Sequence, residues 1–337
     1  MSGRPKAKRG DRGKEARRGR VLFLGAGFSK GLGLPDTRDL WDLGLKISTA
    51  AKNWLLLEDA YKSYPLAAFV ERGVKDVEIL LSFWHEWVDF IYRAFPDTNG
   101  FPRAYLEDYT RNLAMHLDEA SREVQKSGML ANFSKWLARA AGAKAGLTVV
   151  TTNYDCLVEF AAAAAELKYD YLDDSSEKLP IAKLHGSVNW ALFSSQVRRW
   201  SDGWKPRLLN EHEGIGVYDC ELEPIPWVAQ KGVPALIPPI IRKEYDGIFK
   251  EVIRLAARSL NGADRVLMIG YAFPEADIVV EGMLKAILGR SRNPPEVLYV
   301  NPDERAVVRA KKILEATANV TYASEKWSVD HLNWLTR

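Results

Sequence analysis

The stretch GAGFSKGLGLPDTRDL, residues 25–40, directly follows the apolar run VLFL and holds four glycines within nine residues. A buried strand that ends in glycines and leads into a helix lets backbone amides approach an anion closely. The start of the helix adds unpaired N–H groups and a favourable dipole. The stretch therefore predicts a phosphate-binding turn, with Gly25 and Gly27 beside a pyrophosphate.

The turn departs from the dinucleotide fingerprint of dehydrogenases. That fingerprint would place a third glycine at position 30, where the chain has Lys30, and would need a second strand about 20 residues further on. Residues 36–145 instead show apolar and aromatic residues at helical spacing, without a strong strand. This indicates a helical lobe inserted after the first strand. For the glycines alone, a purely structural tight turn is the alternative.

Five further apolar runs resemble the first, and each ends in a polar or glycine-rich turn. They cover residues 148–152, 181–184, 266–269 and 297–300, and the segment NVTYAS that begins at Asn319. Such runs are typical of buried parallel strands, and helical patterns follow most of them. We therefore expect an α/β fold in which a Rossmann-like parallel sheet has its chemistry at the carboxyl ends of the strands.

These patterns divide the chain into a tail, a split sheet domain, an inserted lobe and a C-terminal piece. The expected parts are a disordered basic tail at 1–20, a Rossmann-like domain at 21–35 and 146–325, the helical lobe at 36–145, and a C-terminal helix or tail at 326–337. The segment 202–239 is rich in proline, glycine and charge. It predicts an irregular loop over the site.

Composition limits the class of protein. Hydrophobic residues make up 47% and charged residues 27% of the 337 residues, which is an ordinary globular balance. No apolar run approaches the roughly 18 residues of a membrane span, and the basic N-terminus lacks the apolar core of a signal peptide. We therefore expect a cytoplasmic protein with no membrane partner.

Positive charge is concentrated at the N-terminus. The first 20 residues hold nine Lys or Arg against Asp11 and Glu15, so the rest of the chain is net acidic although the whole chain carries +3. With almost no apolar residues this tail should be disordered and solvated, and contact with nucleic acid or an acidic partner is the alternative. The body has no basic stripe with interleaved aromatics, so nucleic acid could bind only through the tail.

The cysteines exclude two kinds of site. The chain has only Cys156 and Cys220, too few for a four-cysteine zinc site or a disulfide framework. Cys156, near a predicted helix start, is interpreted as a small buried apolar residue. We expect no metal site, because no HExxH or paired-carboxylate motif appears.

Polar motifs follow two of the predicted strands. TTNYD, residues 151–155, ends one strand, and KLHGS, residues 183–187, ends the next. Parallel strand ends meet at one crevice, so Asn153 and His185 should lie beside the glycine turn. There Asn153 could hold a ribose hydroxyl or a water, and His185 could act as a general base. Alone, each has a structural alternative, a helix cap for Asn153 and a satisfied core residue for His185; together they favour function.

With these motifs in this order, the chain resembles the sirtuin family, and more closely its divergent bacterial branch of sirtuin-like NAD hydrolases associated with antiviral defence. Sirtuins carry GAG-x-S followed by G-[IL]-P-D-F-R, where this chain has GAGFS and then GLPDTR. They carry T-Q-N-I-D, where this chain has TTNYD, and a catalytic H-G pair, here His185 and Gly186.

The resemblance extends to the end of the predicted sheet. The glycine and asparagine turns of sirtuins match Gly270 in IGYAF and Asn301 in VNPD, and DVEILLS at 76–82 is similar to the helical lobe of the branch that uses TTNYD. The resemblance implies that the Rossmann-like domain binds NAD. The residues it implies are Gly25, Ala26, Gly27 and Ser29 at the pyrophosphate, Asp36 and Arg38 at the nicotinamide end, Asn153 and His185 at the nicotinamide ribose, Gly270, Asn301 and Asp303 at the adenosine half, and Thr152 and Asp155 as further NAD-binding residues.

Three departures from the sirtuin pattern argue against protein deacylation. The chain cannot supply the four cysteines of the structural zinc, Thr37 replaces the phenylalanine that covers the nicotinamide pocket, and the motif of the peptide-binding strand is not evident. Cleavage of the nicotinamide–ribose bond is the step that remains. The expected activity is therefore hydrolysis of NAD to nicotinamide and ADP-ribose, with Asn153 and His185 as catalytic residues and no metal.

The resemblance also implies a biological setting. It suggests the effector of an antiphage defence system that acts by NAD depletion, working as a homo-oligomer with a separately encoded sensor or activator of the ATPase or Argonaute type. The alternatives are an NAD-dependent protein deacylase, an ADP-ribosyltransferase, and a non-catalytic sensor of NAD or ADP-ribose.

Overall fold

The computed structural model describes residues 19–35, 101–142, 146–172, 177–192, 208–212, 215–218, 233–237, 245–289, 294–314 and 319–337, with single residues and short pieces at 79, 81–83, 85–86, 94, 220 and 243. The basic tail and most of the first half of the expected helical lobe, including Asp36 and Arg38, lie outside the described residues.

The strands are short and mostly buried. They are β1 (Gly19–Leu24), β2 (Leu147–Thr151), β3 (Tyr169–Asp170), β4 (Leu179–Lys183), β5 (Gly186–Leu192), β6 (Leu208–His212), β7 (Ile215–Tyr218), β8 (Val233–Leu236), β9 (Ala263–Ile269), β10 (Glu296–Val300) and β11 (Asn319–Ala323). Every predicted strand coincides with an observed one, because strands buried on both faces appear in sequence as continuous apolar runs.

The helices lie between the strands and at the C-terminus. They are α1 (Ala26–Lys30), α2 (Phe101–Lys126), α3 (Ala131–Ala141), α4 (Leu157–Ala164), α5 (Ile248–Asn261), α6 (Ile278–Leu288), α7 (Glu304–Leu314) and α8 (Val329–Thr336). A 3₁₀ turn, Glu275–Asp277, precedes α6. Helices α2 and α3 pack into the same core as the large sheet. The boundaries of the inserted lobe stay a prediction.

Seven strands form one parallel sheet in the order β11-β10-β9-β1-β2-β4-β3. From β1 the chain proceeds to β2 and β4 on one side, and later returns to β9 on the other side. The strand order therefore reverses between β1 and β9, and in doubly wound α/β sheets ligands bind outside the carboxyl ends of the strands at such a switch point. The expected fold class, a Rossmann-like parallel sheet, is confirmed.

A second, antiparallel sheet has the order β6-β7-β5-β8. The prediction that residues 202–239 form an irregular loop was wrong, because three strands of this sheet come from that segment. Each has only four or five residues, too few to show a clear periodicity, and β8 contains Pro234. Because β8 is an edge strand, it tolerates a proline. The sheet joins the site directly, since β5 begins at Gly186, next to His185.

Candidate active site

The glycine turn after β1 packs against the turn after β9, where the strand order reverses. The Gly25 amide donates to the Ile269 carbonyl and the Gly27 amide to the Gly270 carbonyl, both at 2.9 Å. A Cβ on Gly25 would lie 2.5 Å from Tyr271 Cα, and one on Gly27 would lie 2.7 Å from Gly270 Cα. These glycines therefore let two backbone segments touch, and two of the amides that we assigned to a phosphate are bonded within the protein.

Ser29 links the glycine turn to the TTNYD motif. Its hydroxyl donates to Asp155 Oδ2 at 2.7 Å and accepts a hydrogen bond from Asn153 Nδ2 at 2.9 Å. Asp155 Oδ1 in turn accepts from the Leu157 amide at the start of α4. Ser29 and Asp155 are both buried, so they hold the two motifs together across the ends of β1 and β2.

Asn153 has its amide fixed in one orientation. The second Nδ2 hydrogen donates to the Gly25 carbonyl at 3.0 Å, so both amide hydrogens are used within the protein. Within the described residues, the Asn153 side-chain oxygen has no hydrogen-bond partner. Asn153 thus keeps an acceptor, Oδ1, for a hydroxyl or a water. The half-buried Thr152 next to it ties β2 to β1, since its amide donates to the Leu24 carbonyl.

His185 lies on the neighbouring strand end. Strands β2 and β4 pair in parallel with Thr151 opposite Lys183, and the Leu184 amide donates to the Thr151 carbonyl at 2.8 Å. Asn153 and His185 each follow this pair by two residues, so the register brings them to the same edge of the sheet. The His185 ring hydrogen-bonds to the Thr152 backbone, which links the two strand ends.

Two charged groups face the His185 ring. Nε2 lies 3.3 Å from Asp277 Oδ1 and 3.4 Å from Lys243 Nζ. Burial lowers the pKa of His185 below its ordinary value, and the attraction of Asp277 offsets this only in part. His185 is therefore neutral near pH 7, which is the form that can accept a proton.

Asp277 is a buried carboxylate with several partners. Oδ1 forms an ion pair with Lys243, and Oδ2 accepts a hydrogen bond from the Tyr271 hydroxyl at 3.0 Å. Burial alone would raise the pKa of Asp277, but His185 and Lys243 lower it well below its usual range. Asp277 thus stays ionised beside His185.

The residues predicted at the adenosine half lie at the ends of β9 and β10. The Gly270 amide donates to the Val300 carbonyl. The Asn301 side-chain nitrogen Nδ2 donates to the Tyr271 carbonyl at 3.3 Å, and the side-chain oxygen Oδ1 accepts a hydrogen bond from the Asp303 backbone amide at 3.0 Å. Asn301 therefore shapes this turn, and Asp303 is exposed at its rim.

A buried ion pair lies behind the TTNYD motif. Lys183 Nζ is 3.1 Å from Glu159 Oε1 and also donates to the carbonyls of Tyr154 and Asp155. Burial alone would lower the pKa of Lys183, but Glu159 together with the neighbouring Cys156 and Asp155 outweighs this and raises it. The Tyr171 hydroxyl donates to the same Glu159 oxygen at 2.9 Å. Lys183 thus fixes the backbone of the TTNYD motif through hydrogen bonds to two of its carbonyls.

Sequence reasoning found Asn153, His185 and the glycine turn but missed Asp277 and Lys243. Asp277 could have been noticed only as an acidic residue a few positions beyond β9, which ends at Ile269. Lys243 belongs to no motif. Ala26, half-buried, begins α1 in the glycine turn. The structure thus brings the glycine turn, TTNYD, His185 and the Gly270 and Asn301 turns to one edge of the sheet.

Comparison with known protein families shows which family the chain belongs to. A family model described as a SIR2-like domain matches residues 147–323, just over half of the chain. The chain belongs to the SIR2-like family. The match of this SIR2-like chain begins at β2 and includes TTNYD, His185, Asp277 and Asn301. The family is one that uses NAD.

Other comparisons add less. A solved structure of a mutant Sir2 homologue in complex with ADP-ribose is 15% identical to this SIR2-like chain, covers 94% of it and 90% of the homologue, and has a TM-score of 0.37. Among curated proteins, none matches the sequence. In the part of the chain that the structure describes, no cluster of three or more His, Cys, Asp or Glu could hold a metal ion, and no helix could cross a membrane. Both cysteines are buried.

Proposed function

We propose that this SIR2-like protein hydrolyses NAD to nicotinamide and ADP-ribose. The observation that carries the proposal is the pairing of two groups at adjacent strand ends: a buried asparagine whose side-chain oxygen has no partner among the described residues, and a buried histidine that is neutral near pH 7. They lie beside the point where the strand order reverses.

Asn153 and His185 would have different roles in the reaction. Nicotinamide leaves as a neutral molecule because it is a cation in NAD, so no strong acid is needed, and the ribose becomes oxocarbenium-like as the bond breaks. Asn153 Oδ1 accepts a hydrogen bond from the attacking water or a ribose hydroxyl. His185 takes up the proton that this group loses. Ser29 and Asp155 hold Asn153 in place.

The proposal also includes a biological setting, which rests only on the resemblance to the sirtuin-like NAD hydrolases. We propose that the protein is the effector of an antiphage defence system, that it forms a homo-oligomer, and that a separately encoded sensor or activator of the ATPase or Argonaute type controls it. A chain that destroys NAD would harm its own cell unless it were held inactive until a trigger arrives.

The test is NAD consumption by the purified full-length chain, with products separated by chromatography and no peptide added. Asn153→Ala and His185→Ala are compared with Asn189→Ala, which removes a buried asparagine that bonds Tyr171 and Tyr218 away from the site. We expect nicotinamide and ADP-ribose from wild type and Asn189→Ala, with at least about 10²-fold loss in the two site variants.

Other outcomes separate the alternatives. Nicotinamide release only with an acyl-lysine peptide would indicate a deacylase, and label from NAD on protein would indicate a transferase. NAD that binds tightly but stays intact at high protein concentration would indicate a sensor. Absence of binding would contradict the NAD site altogether.

A further inference from the structure

His185 has two charged neighbours at the same ring nitrogen, and they suit different protonation states. In the neutral ring, Nε2 accepts a hydrogen bond from the Lys243 ammonium 3.4 Å away. In the imidazolium, Nε2–H donates to Asp277 Oδ1 3.3 Å away. The ring nitrogen therefore has a partner before and after it takes up a proton, without movement of any of the three side chains.

Both carboxylate oxygens of Asp277 have partners that hold the side chain in place. It is 2% exposed, Lys243 pairs with Oδ1, and the Tyr271 hydroxyl donates to Oδ2. The segment that carries it bends twice through left-handed backbone, at Gly270 with φ +67° and at Phe273 with φ +51°. A bulky residue in that conformation is strained and persists only where its surroundings fix it.

Among the residues that the structure describes, the remaining groups that face the imidazole are aromatic rings and backbone. The Tyr154 and Tyr245 ring centroids lie 6.2 Å and 6.5 Å from that of His185, and the Thr152 backbone hydrogen-bonds the ring. Burial, and then Asp277, raise the pKa of Tyr245 far above neutral pH, so it adds no charge. Among the described residues, the charges that act on His185 are those of Asp277 and Lys243.

We propose that Asp277 and Lys243 form a charge pair that positions His185 and balances its two protonation states. This rests on the proposed function, because His185 is the proton acceptor there. As water forms its bond to ribose C1′, the C1′–N electron pair leaves with nicotinamide and the water proton moves to His185 Nε2. Asp277 Oδ1 then accepts a hydrogen bond from the new Nε2–H. Asp277 and Lys243 are positioning residues that act through His185.

The first test needs no substrate. Asp277→Asn and Lys243→Met remove opposite charges from the same nitrogen, so they should move the pKa of His185 in opposite directions, down and up, by about one unit or more. The pKa is measured by NMR titration of histidine Cε1–H signals in the full-length protein, assigned with His185→Gln. Glu275→Gln, an exposed acid in the same turn as Asp277, is the matched control and should cause no shift.

The second test measures NAD cleavage against pH in the same variants. Asp277→Asn should lower kcat about 10²-fold while KM changes less than about threefold, because the loss falls on proton transfer. Asp277→Glu should restore part of that loss. Lys243→Met should move the acidic limb of the kcat profile to higher pH, in step with the titration.

The outcomes separate this inference from the proposed function. Shifts of the same sign, or no shift from either variant, overturn the charge pair. Unchanged kcat in Asp277→Asn, beside an active wild type, overturns the positioning role alone. If wild type leaves NAD intact, the proposed function and the proton step fall together, and the titration still confirms or contradicts the pair as the group that controls His185.

Discussion

Two hydrogen bonds fix the orientation of the Asn153 side chain, because its Nδ2 donates to the Gly25 carbonyl and to the Ser29 hydroxyl. Asn153→Ala should therefore lose activity and also about 1–3 kcal/mol of the free energy of unfolding, since the Gly25 carbonyl loses a buried partner. Urea denaturation measures the second effect. Asn189→Ala should cost a similar amount of stability and keep the activity per folded molecule. Equal loss of activity in both variants would contradict the role of Asn153.

The lowered pKa of His185 predicts how stability depends on pH. Below about pH 6.5, the unfolded chain binds a proton at this residue before the folded protein does. The free energy of unfolding should therefore fall as the pH drops from 7.5 to 5.5, by at most about 1.4 kcal/mol per pH unit from this group. Asp277 does not contribute in this window, because its pKa is lowered and its stabilisation is lost only in stronger acid.

The measurement is denaturation at several pH values for wild type and His185→Gln. The difference between the two free energies should change across the window, with the wild type losing more. Parallel curves would show that His185 does not titrate differently in the folded and unfolded states.

At the scale of elements, the two turns at the strand reversal fit together because glycines without a Cβ lie at the contact. A Cβ on Gly270 would lie 2.5 Å from Gly27 Cα, and φ is +67°. Gly270→Ala should thus destabilise the protein by several kcal/mol or prevent folding. Gly282→Ala, at an exposed position of helix α6 with open space at Cβ, should instead stabilise it by roughly 0.5–1 kcal/mol. Thermal denaturation compares them, and similar effects in both would contradict the contact.

Which elements the sequence reveals depends on burial. The central parallel strands end in continuous buried apolar runs, so the runs ending at Leu24 and Ile269 were predictable. Strands β6 to β8 were not, because they are short and one holds a proline. The pairing of Asp277 with Lys243 was not predictable, because the two residues belong to no motif and come together only when the chain folds.

At the scale of the whole molecule, the buried pair Lys183–Glu159 connects strand β4 to helix α4 beneath the site. Lys183→Met should cost about 3–5 kcal/mol, because it leaves the Glu159 carboxylate buried without its cation. Adding Glu159→Leu should recover much of that loss, since Tyr171 keeps Asn189 as a partner. A double-mutant cycle in urea measures both, and additive losses would mean that the two residues are not coupled.

The position of β1 in the sheet also governs when the protein can fold. Strand β1, the first strand among the described residues, pairs Arg20 with Leu147 on one side and Leu24 with Ile269 on the other. A ribosome adds about 5–20 residues per second, so the nascent strand waits many seconds for its second neighbour, with an unpaired edge. The Gly27–Gly270 contact forms only at that late stage. A nascent chain that has not yet reached Gly270 therefore cannot complete the contact between the two glycine turns of this site.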